Sequence, residues 1–471
     1  MKRKLFYTAV LFVVTLAVVG CYYGPARGSQ RITLNISSIL SPKALDPVEE
    51  THVWVYFYYD PDGANSLEDI KQDDINAEGE VSFDGIPVGD WRLLIAVGKP
   101  NGAGGFIVSR YVEKPATVST NSTYTVEIAA SEVVENPFSL LVEGKNITGI
   151  ELTAGGDLYA STESEIYLFN EITDDFNTTP EDTLSSGITI NSLSSGVFHD
   201  AGGVETNGFL INSSRGIIPY DPDTGASEDF SSSLGNGNTD VILSGSYDAE
   251  SNLVYYYTAP GEIGGVFVPE TAEDRLQPES WIEIDLNDIP GIQSNEPVLD
   301  LLITTKYGYF ATQFGAFRLD EDSLEEGTLG PDQLLSAAVF FGEDETGAAL
   351  VQSLAYESVE NDLYFGAENG AYVGTLTESV ADTAVSGISV IADTEGVNIH
   401  LAAVNTGGDC AAFLSTEELF VLINDGGSAT VQRYPFLFDQ IGTLSALEFD
   451  GDQLYVGGSL GVATTDCSTL D

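Results

Sequence analysis

The sequence is poor in basic residues. It contains 17 Lys and Arg against 73 Asp and Glu, which gives a formal net charge of −56 over 471 residues. A field of this sign repels nucleic acid and anionic membrane surfaces, and it attracts cations and basic surfaces. Nucleic acid is therefore excluded as a natural partner. Because 43% of the residues are hydrophobic and the acids are spread along the chain, we expect a folded protein with a sizeable core.

Histidine and cysteine are also scarce, with three of each. His52, His199 and His400 do not form a readable set of nucleophile, base and orienting group, and the cysteines lack the spacing of a metal site. Glycine-rich phosphate loops and nucleotide fingerprints are missing from the sequence as well. The sequence therefore predicts no catalytic residue and no cofactor.

The hydrophobic run near the N-terminus, Leu5–Gly20, is shorter than the roughly 20 residues that a transmembrane helix needs. It follows the basic Met1–Lys4 and precedes a cysteine, which predicts a secretion signal over residues 1–20. Val18–Cys21 resembles the lipobox of bacterial lipoproteins. The resemblance implies cleavage before Cys21, diacylglycerol on the Cys21 thiol and a second acyl group on the new N-terminus. The alternatives are an ordinary secretory signal or an uncleaved anchor.

Cleavage at this point leaves a mature chain with a net charge of about −59, so we expect membrane contact through the lipid alone. The expected location is the cell envelope, with the outer membrane favoured and the folded part outside the cytoplasm. In such an oxidising compartment the remaining Cys410 and Cys467 either form a disulfide or stay apart as buried thiols.

A short tether over residues 21–30 precedes a region of strands over residues 31–130. Alternation and aromatic or β-branched residues predict an antiparallel β-sandwich there. The predicted strands are Ile32–Ile36, His52–Tyr59, Gly79–Phe83, Trp91–Val97, Phe106–Tyr111 and Tyr124–Ile128. Gly79–Trp91 resembles a strand, turn and strand of carboxypeptidase-regulatory or prealbumin-like sandwiches.

Residues 131–471 contain seven related segments at spacings of about 41 to 54 residues, a range typical of propeller blades. Each segment predicts a hairpin of two strands. The segments are Asp157–Asn170, Gly208–Asp221, Leu253–Phe267, Tyr307–Asp320, Asp362–Val373, Ala412–Asn424 and Gln453–Thr464. The overall prediction is an all-β protein with an N-terminal antiparallel β-sandwich followed by a seven-bladed β-propeller.

Further strands flank these hairpins. Apolar segments before them, such as Ile147–Leu152 and Leu444–Phe449, predict the innermost strand of each blade, and Trp281–Leu286, Gln333–Phe341 and Val431–Phe438 predict outer strands. The repeat resembles two-component-regulator-type propeller repeats, with Tyr159, Tyr364 and Tyr455 at the usual Trp position.

The seventh repeat is followed by too few residues to supply its own fourth strand. The apolar segment Pro137–Val142 stands before the first repeat without a neighbouring partner. We therefore predict that it pairs onto blade seven and closes the ring.

Two classes of function remain. In the first, the propeller loops bind an envelope protein or polysaccharide without catalysis, and the longest connections, Pro269–Pro297 with Trp281 and Asp320–Leu350 with Phe340 and Phe341, form the binding face. In the second, carboxylates in the channel cleave a glycan at the surface. The fold alone does not distinguish a binding protein from a glycan-cleaving enzyme.

Paired carboxylates in turns are compatible with a calcium ion bound at the surface, although none of the pairs completes an EF-hand loop. The pairs are Asp60 with Asp62, Asp221 with Asp223, Asp320 with Asp322 and Asp450 with Asp452. Asp and Gly are also common in turns for conformational reasons, so the sequence alone does not assign a metal to these pairs.

Overall fold

The computed structural model describes residues 31–35, 52–59, 71–74, 80–84, 89–100, 106–118, 132–153, 155–170, 173–199, 205–222, 224–226, 244–247, 253–257, 265–269, 281–285, 298–303, 307–312, 315–320, 339–341, 350–376, 384–416, 418–424 and 429–470. It separates into two compact units. The first comprises Met1–Lys99 and Val108–Asn136, and the second comprises Pro100–Ile107 and Pro137–Asp471. The predicted signal, the tether with Cys21 and the predicted strand Tyr124–Ile128 lie outside the described residues.

The first unit is built from two sheets. Its strands are β1 (Arg31–Asn35), β2 (His52–Tyr59), β3 (Lys71–Asp74), β4 (Glu80–Asp84), β5 (Gly89–Pro100), β6 (Phe106–Val118) and β7 (Val134–Glu135). Within the described ranges β1 pairs with β4, and β3, β2, β5, β6 and β7 form a five-stranded sheet in that order. Val55, Trp91 and the run Leu93–Val97 are buried, so the central strand β5 is covered on both faces. This is the expected β-sandwich arrangement.

The second unit contains four-stranded antiparallel sheets that follow one another along the chain. Blade one is β9 (Gly149–Leu152), β10 (Leu158–Ser161), β11 (Glu165–Asn170) and β12 (Asp175–Phe176), with β13 (Asp182–Thr183) also on β11; blade two is β14 (Ile190–His199), β15 (Glu205–Ser213), β16 (Gly216–Asp221) and β17 (Gly225–Ala226); blade three is β18 (Ser244–Tyr247), β19 (Leu253–Tyr257), β20 (Gly265–Pro269) and β21 (Trp281–Asp285).

The next four blades repeat the arrangement. Blade four is β22 (Val298–Ile303), β23 (Tyr307–Thr312), β24 (Gly315–Asp320) and β25 (Val339–Phe341); blade five is β26 (Val351–Glu357), β27 (Asp362–Ala367), β28 (Gly370–Leu376) and β29 (Val385–Val390); blade six is β30 (Leu401–Val404), β31 (Cys410–Leu414), β32 (Leu419–Asn424) and β33 (Ala429–Tyr434); blade seven is β34 (Leu444–Asp450), β35 (Gln453–Gly458), β36 (Gly461–Asp466) and β8 (Ser139–Leu141).

The innermost strands close a ring. In the part of the chain that the structure describes, β9, β14, β18, β22, β26, β30 and β34 contact one another in this order, and β34 contacts β9 again. A closed cycle of seven antiparallel sheets is a seven-bladed β-propeller. The predicted architecture is therefore confirmed.

The strand β8 closes the ring as the sequence predicts. It pairs antiparallel with β36, with Leu141 opposite Val462 and Ser139 opposite Thr464. Gly461 at the start of β36 has φ of 146°, and a Cβ there would lie 2.8 Å from the carbonyl oxygen of Val142. A residue without a side chain therefore permits the close approach of the closing strand.

The repeated tyrosine explains much of the packing between blades. The Tyr159 ring lies 4.8 Å from that of Phe209 in blade two, Tyr364 lies 6.1 Å from Phe413 in blade six, and Tyr455 lies 5.9 Å from Phe169 in blade one. Each tyrosine thus packs against the next blade. Because blades cover both faces of the middle strands, these strands are apolar throughout rather than alternating.

One outer strand was predicted too long. The segment Val431–Phe438 is strand only as far as Tyr434, and the helix α1 (Leu437–Ile441) follows. Pro435 has no N–H to continue the sheet, so the strand ends before it. A 3₁₀ turn (Cys467–Thr469) follows β36. Among the described residues, no helix is long and apolar enough to cross a membrane.

Candidate functional site

The most distinctive polar groups of the propeller lie where the innermost strands begin. We call this the front end of the ring and the other the back end. A residue at the start of an innermost strand, or two residues before it, is clamped to the preceding blade by its N–H, which donates to a carbonyl oxygen there. These bonds are Ile147 to Gly458, Ile190 to Glu163, Ile399 to Ala367 and Leu444 to Thr416, at 2.8 to 3.5 Å.

The carbonyl oxygen of the same residue accepts a second bond from the preceding blade. Its donor is the side chain at the second position of that blade's innermost strand or, in blade six, the side chain of His400 directly before β30. Gln352 Nε2 donates to the Ile399 oxygen at 3.0 Å, His400 Nε2 to Leu444 at 3.3 Å and Ser445 Oγ to Ile147 at 2.7 Å. The pairing with the next strand skips Gln352 and Ser445, because each lies at a β-bulge. A bulge re-aims a side chain, here toward the next blade.

Glycines allow these clamps to close. A Cβ on Gly366 would lie 2.7 Å from Ile399 Cγ2, and one on Gly457 would lie 2.8 Å from Ile147 Cγ2. Both glycines occupy the same position of the repeat, directly opposite the bulge. Their lack of a side chain lets the first residue of the following blade approach the backbone closely.

We call a hydrogen bond between the innermost strand regions of two neighbouring blades that involves a side chain a joint. His400 takes part in its joint as a neutral imidazole. Because a carbonyl oxygen only accepts, Nε2 carries the proton that is donated to Leu444. Burial lowers the pKa of His400, and the bond to Leu444 opposes that shift. His400 Nδ1 is buried, and no hydrogen-bond partner for it occurs among the described residues. His400 lies directly before β30, and the sequence does not predict its function in joining two blades.

Two carboxyl groups meet on the innermost strands of blades one and seven. Glu151 pairs with Tyr159 and Glu448 with Tyr455, so the two glutamates occupy equivalent positions on the neighbouring strands β9 and β34. Burial and then the nearby charge of Glu151 raise the pKa of Glu448. Like charges at short range favour a shared proton.

Asp300 forms a joint of another kind between blades four and five. Its Oδ1 accepts from the Leu301 N–H at 2.8 Å and its Oδ2 from the Leu354 N–H of β26 at 2.7 Å. Burial raises the pKa of Asp300 to about 7, against the opposing effect of both backbone bonds. Asp300 therefore changes charge near neutral pH.

At the back end, blades six and seven are joined covalently. Cys410 at the start of β31 and Cys467 after β36 form a disulfide, with Cα atoms 6.4 Å apart. Asn405 Nδ2 donates to Asp409 at 2.6 Å and to Asp452 of blade seven at 2.9 Å. Of the two alternatives that the sequence left open, the structure has the disulfide, a bond typical of proteins that fold outside the reducing cytoplasm.

Blade six also contains a buried ion pair. Arg433 Nε and Nη2 donate to the two carboxylate oxygens of Glu418 at 2.7 and 2.9 Å, and the side chains are 7% and 0% exposed. The guanidinium also lies over the Phe420 ring at 5.3 Å. Two charges that satisfy each other in this way form part of the blade interior, not a site for a ligand.

The predicted binding residues lie in strands. Trp281 begins β21, and Phe340 and Phe341 belong to β25, the outer strands of blades three and four. Both long connections thus supply the fourth strand of their blade, as the sequence predicts for Trp281–Leu286 and Gln333–Phe341. Binding through these residues stays a prediction.

The remaining candidates are distributed along the chain. His52 lies in β2 and His199 ends β14 opposite Glu205, while Cys21 and the pair Asp60 and Asp62 lie outside the described residues. Asp450 and Asp452 flank the turn between β34 and β35. In the described part of the chain no group of three or more His, Cys, Asp or Glu side chains is arranged to hold a metal ion.

Comparison with known proteins shows that this chain is similar in fold to several solved structures. No family model and no curated protein matches the sequence. Among solved structures, the extracellular domain of a putative hybrid two-component system from B. thetaiotaomicron is 13% identical, with 70% of this chain and 39% of that chain covered and a TM-score of 0.46. The chain thus spans well under half of that protein.

Two further structures cover more of their own length or of this chain. Virginiamycin B lyase from Staphylococcus aureus is 13% identical over 70% of this chain and 97% of its own, with a TM-score of 0.48. PorZ, a bacterial surface component of the type-IX secretion system of Porphyromonas gingivalis, is 11% identical over 83% of this chain and 64% of its own, with a TM-score of 0.49.

Proposed function

We propose that this protein is a lipid-anchored binding or scaffold module of the bacterial envelope, and that it binds its partner without catalysis at the front end of the propeller. The observation that carries the proposal is the repeated clamp at the front end. It fixes the hairpin turns of one blade to the first residue of the next through Ile147, Ile190, Ile399 and Leu444. Loops held by a rigid scaffold are the usual place for binding residues.

The anchor and the location rest on the N-terminal sequence, with support from the disulfide. Cys21 follows the predicted signal, and Cys410–Cys467 suits an oxidising compartment. Replacing Cys21 with Ser should release the protein from membranes, since no other lipid attachment point is expected. The measurement is the fraction that pellets with membranes after a carbonate wash. A Cys21→Ser protein that still pellets contradicts the anchor.

The chemistry of the partner follows from charge. Residues 137–471 carry 56 Asp and Glu against 6 Lys and Arg. A partner of the propeller is therefore basic or bridged by cations, and we expect its association to weaken as the Debye length shrinks below about 8 Å at a few hundred millimolar salt. A basic envelope protein or an amino-substituted polysaccharide has this chemistry.

The location of the binding face can be tested by removing three charges from one end at a time. The front-end variant combines Glu163→Gln, Glu368→Gln and Glu395→Gln, and its matched control at the back end combines Asp157→Asn, Glu360→Gln and Asp450→Asn. Each variant is used as the solubilised full-length protein to capture envelope partners over a series of salt concentrations. The front-end variant should lose capture and the control should keep it. Equal capture by both variants contradicts the proposed face.

One observation favours the second candidate, a glycan-cleaving surface enzyme. Glu151 and Glu448 are neighbouring carboxyls with unequal surroundings, and the pKa of Glu448 is raised chiefly by burial. A carboxyl of raised pKa beside a second carboxyl is a feature of glycosidase pairs. Release of reducing ends from envelope polysaccharide by the native protein, lost in Glu448→Gln, would establish this activity in place of simple binding.

A further inference from the structure

The two ends of the interface between blades six and seven are held by different bonds. At the back end the Cys410–Cys467 disulfide joins the blades covalently. At the front end the side-chain bond runs from His400 Nε2 to the Leu444 oxygen. Gln352 and Ser445 occupy the equivalent position in blades five and seven and make the same bond with side chains that do not titrate. Of these three joints, only the one between blades six and seven contains a group that ionises near neutral pH.

The surroundings of His400 offer little to stabilise a cation. Its N–H donates to the Leu414 oxygen of β31, and the residues at this level of the flanking innermost strands are Gln352 and Ser445. The charged groups after β31 are Glu418 and Arg433, which bind each other. Protonation at Nδ1 therefore adds a buried donor to a site where no acceptor for it occurs among the described residues.

We propose that His400 makes the joint between blades six and seven acid-sensitive, so that the front end of this interface loosens on protonation while the disulfide holds the back end. The neutral imidazole closes the joint through its single N–H. The imidazolium requires water or an acceptor at Nδ1, and the two blades separate there to admit it. The disulfide acts as the pivot of this opening.

The direction of the pH effect follows from burial. Because burial lowers the pKa of His400 in the folded protein, the unfolded or opened chain binds a proton more readily than the closed joint. The stabilising contribution of His400 is complete above its ordinary value of about 6.5 and decreases as the pH falls below that value.

The matched variants are His400→Gln, which places at this joint the side chain that serves between blades five and six, and Gln352→His, which moves the titrating group to that joint. Amide hydrogen exchange of the full-length protein is measured at pH 7.5 and 5.5 and corrected for intrinsic rates. On acidification, peptides from 396–416 and 437–460 of the wild type should exchange faster, by up to about tenfold, which is the limit that an ordinary pKa of about 6.5 sets at pH 5.5. Peptides from 158–170 of blade one serve as the internal reference.

His400→Gln should abolish the acid response, and Gln352→His should create one at peptides from 350–376. Replacing both Cys410 and Cys467 with Ala should extend the wild-type response to the back end, at peptides from 402–411 and 463–470. An acid response of unchanged size in His400→Gln overturns the proposal. If His400→Gln does not fold, absence of a new response in Gln352→His overturns it equally, as does an NMR titration of His400 at or above the ordinary pKa.

Discussion

Blade seven is held to blade six and to blade one by different kinds of contact. The interface with blade six combines the disulfide at the back end with the bond from His400 to Leu444 at the front end. The interface with blade one has no disulfide. There Ser445 donates to the Ile147 oxygen, and the chain that continues into blade one first supplies β8, which pairs with β36 as the outer strand of blade seven. The interface with blade six thus depends on a disulfide and a histidine. The connection to blade one depends on β8, a strand that precedes blade one in the sequence and completes blade seven.

The difference shows that two kinds of contact, a disulfide and a paired strand, close the propeller ring. A cross-link acts chiefly by restricting the unfolded chain, whereas a paired strand contributes contacts to the folded state and covers an open sheet edge. Both act on β36, which lies between β35 and β8 and is followed directly by Cys467. Loss of one constraint should therefore increase the dependence of β36 on the other.

Removing the closing strand should have the largest effect. Deletion of Val133–Glu143 takes away β8, together with β7 of the first unit. It leaves the edge of β36 without a partner, so we expect a lower unfolding midpoint for the whole propeller. A milder change is Leu141→Ala. Leu141 is buried against Ile147, Tyr167 and Val462, and truncation of such a side chain costs about 2–5 kcal/mol.

The matched control is Leu140→Ala, because Leu140 is only half-buried on the same strand. It should cost clearly less than Leu141→Ala. Urea unfolding followed by circular dichroism measures all three proteins. If the deletion leaves the transition of the propeller in place, the closing role of β8 is wrong.

The closing strand shows what the sequence could predict. Pro137–Val142 is apolar and stands outside the period of the repeats, so both its strand character and its need for a distant partner were readable. The recurring tyrosines at Tyr159, Tyr364 and Tyr455 likewise predicted a repeated packing position. These signals depend on pattern alone.

The joints were not predictable in the same way. The side chains that make these bonds, Gln352, His400 and Ser445, share no chemical type. The bulges that turn Gln352 and Ser445 toward the next blade are visible only in the strand pairing. The meeting of Glu151 with Glu448 depends on contact between the first and last blades. The disulfide also required coordinates, since pairing depends on the distance between Cα atoms.

Removing the disulfide should have the second largest effect. Cys410 and Cys467 are separated by 57 residues, and the loop-closure model gives about 4 kcal/mol for a loop of this size. The double change of both cysteines to Ala should lower the urea midpoint of the oxidised protein by a corresponding amount. Wild-type protein under reducing conditions is the control and should match the variant. Identical midpoints for the oxidised wild type and the variant would argue that the cross-link does not constrain the unfolded chain.

The interface between blades seven and one should respond to pH in the opposite direction from the His400 joint. Glu448 has a pKa raised by burial and by Glu151, so the folded protein holds its proton more tightly than the unfolded chain does. Its contribution to stability is complete below about 4.3, the ordinary value for glutamate, and is lost as the pH rises through the folded value. Asp300 acts with the same sign, so a variant is needed to isolate Glu448.

The change Glu448→Gln keeps a neutral side chain at this position at every pH. We therefore expect the stability of the variant relative to wild type to rise between pH 4 and pH 9. This should be the smallest of the three effects, because Glu448 is only half-buried. Glu163→Gln, at an exposed position of blade one, removes one charge from the surface and controls for net charge. The measurement is the urea midpoint of each protein over this pH range. Parallel curves for Glu448→Gln and Glu163→Gln would show that total charge, rather than the carboxyl pair at this interface, sets the response.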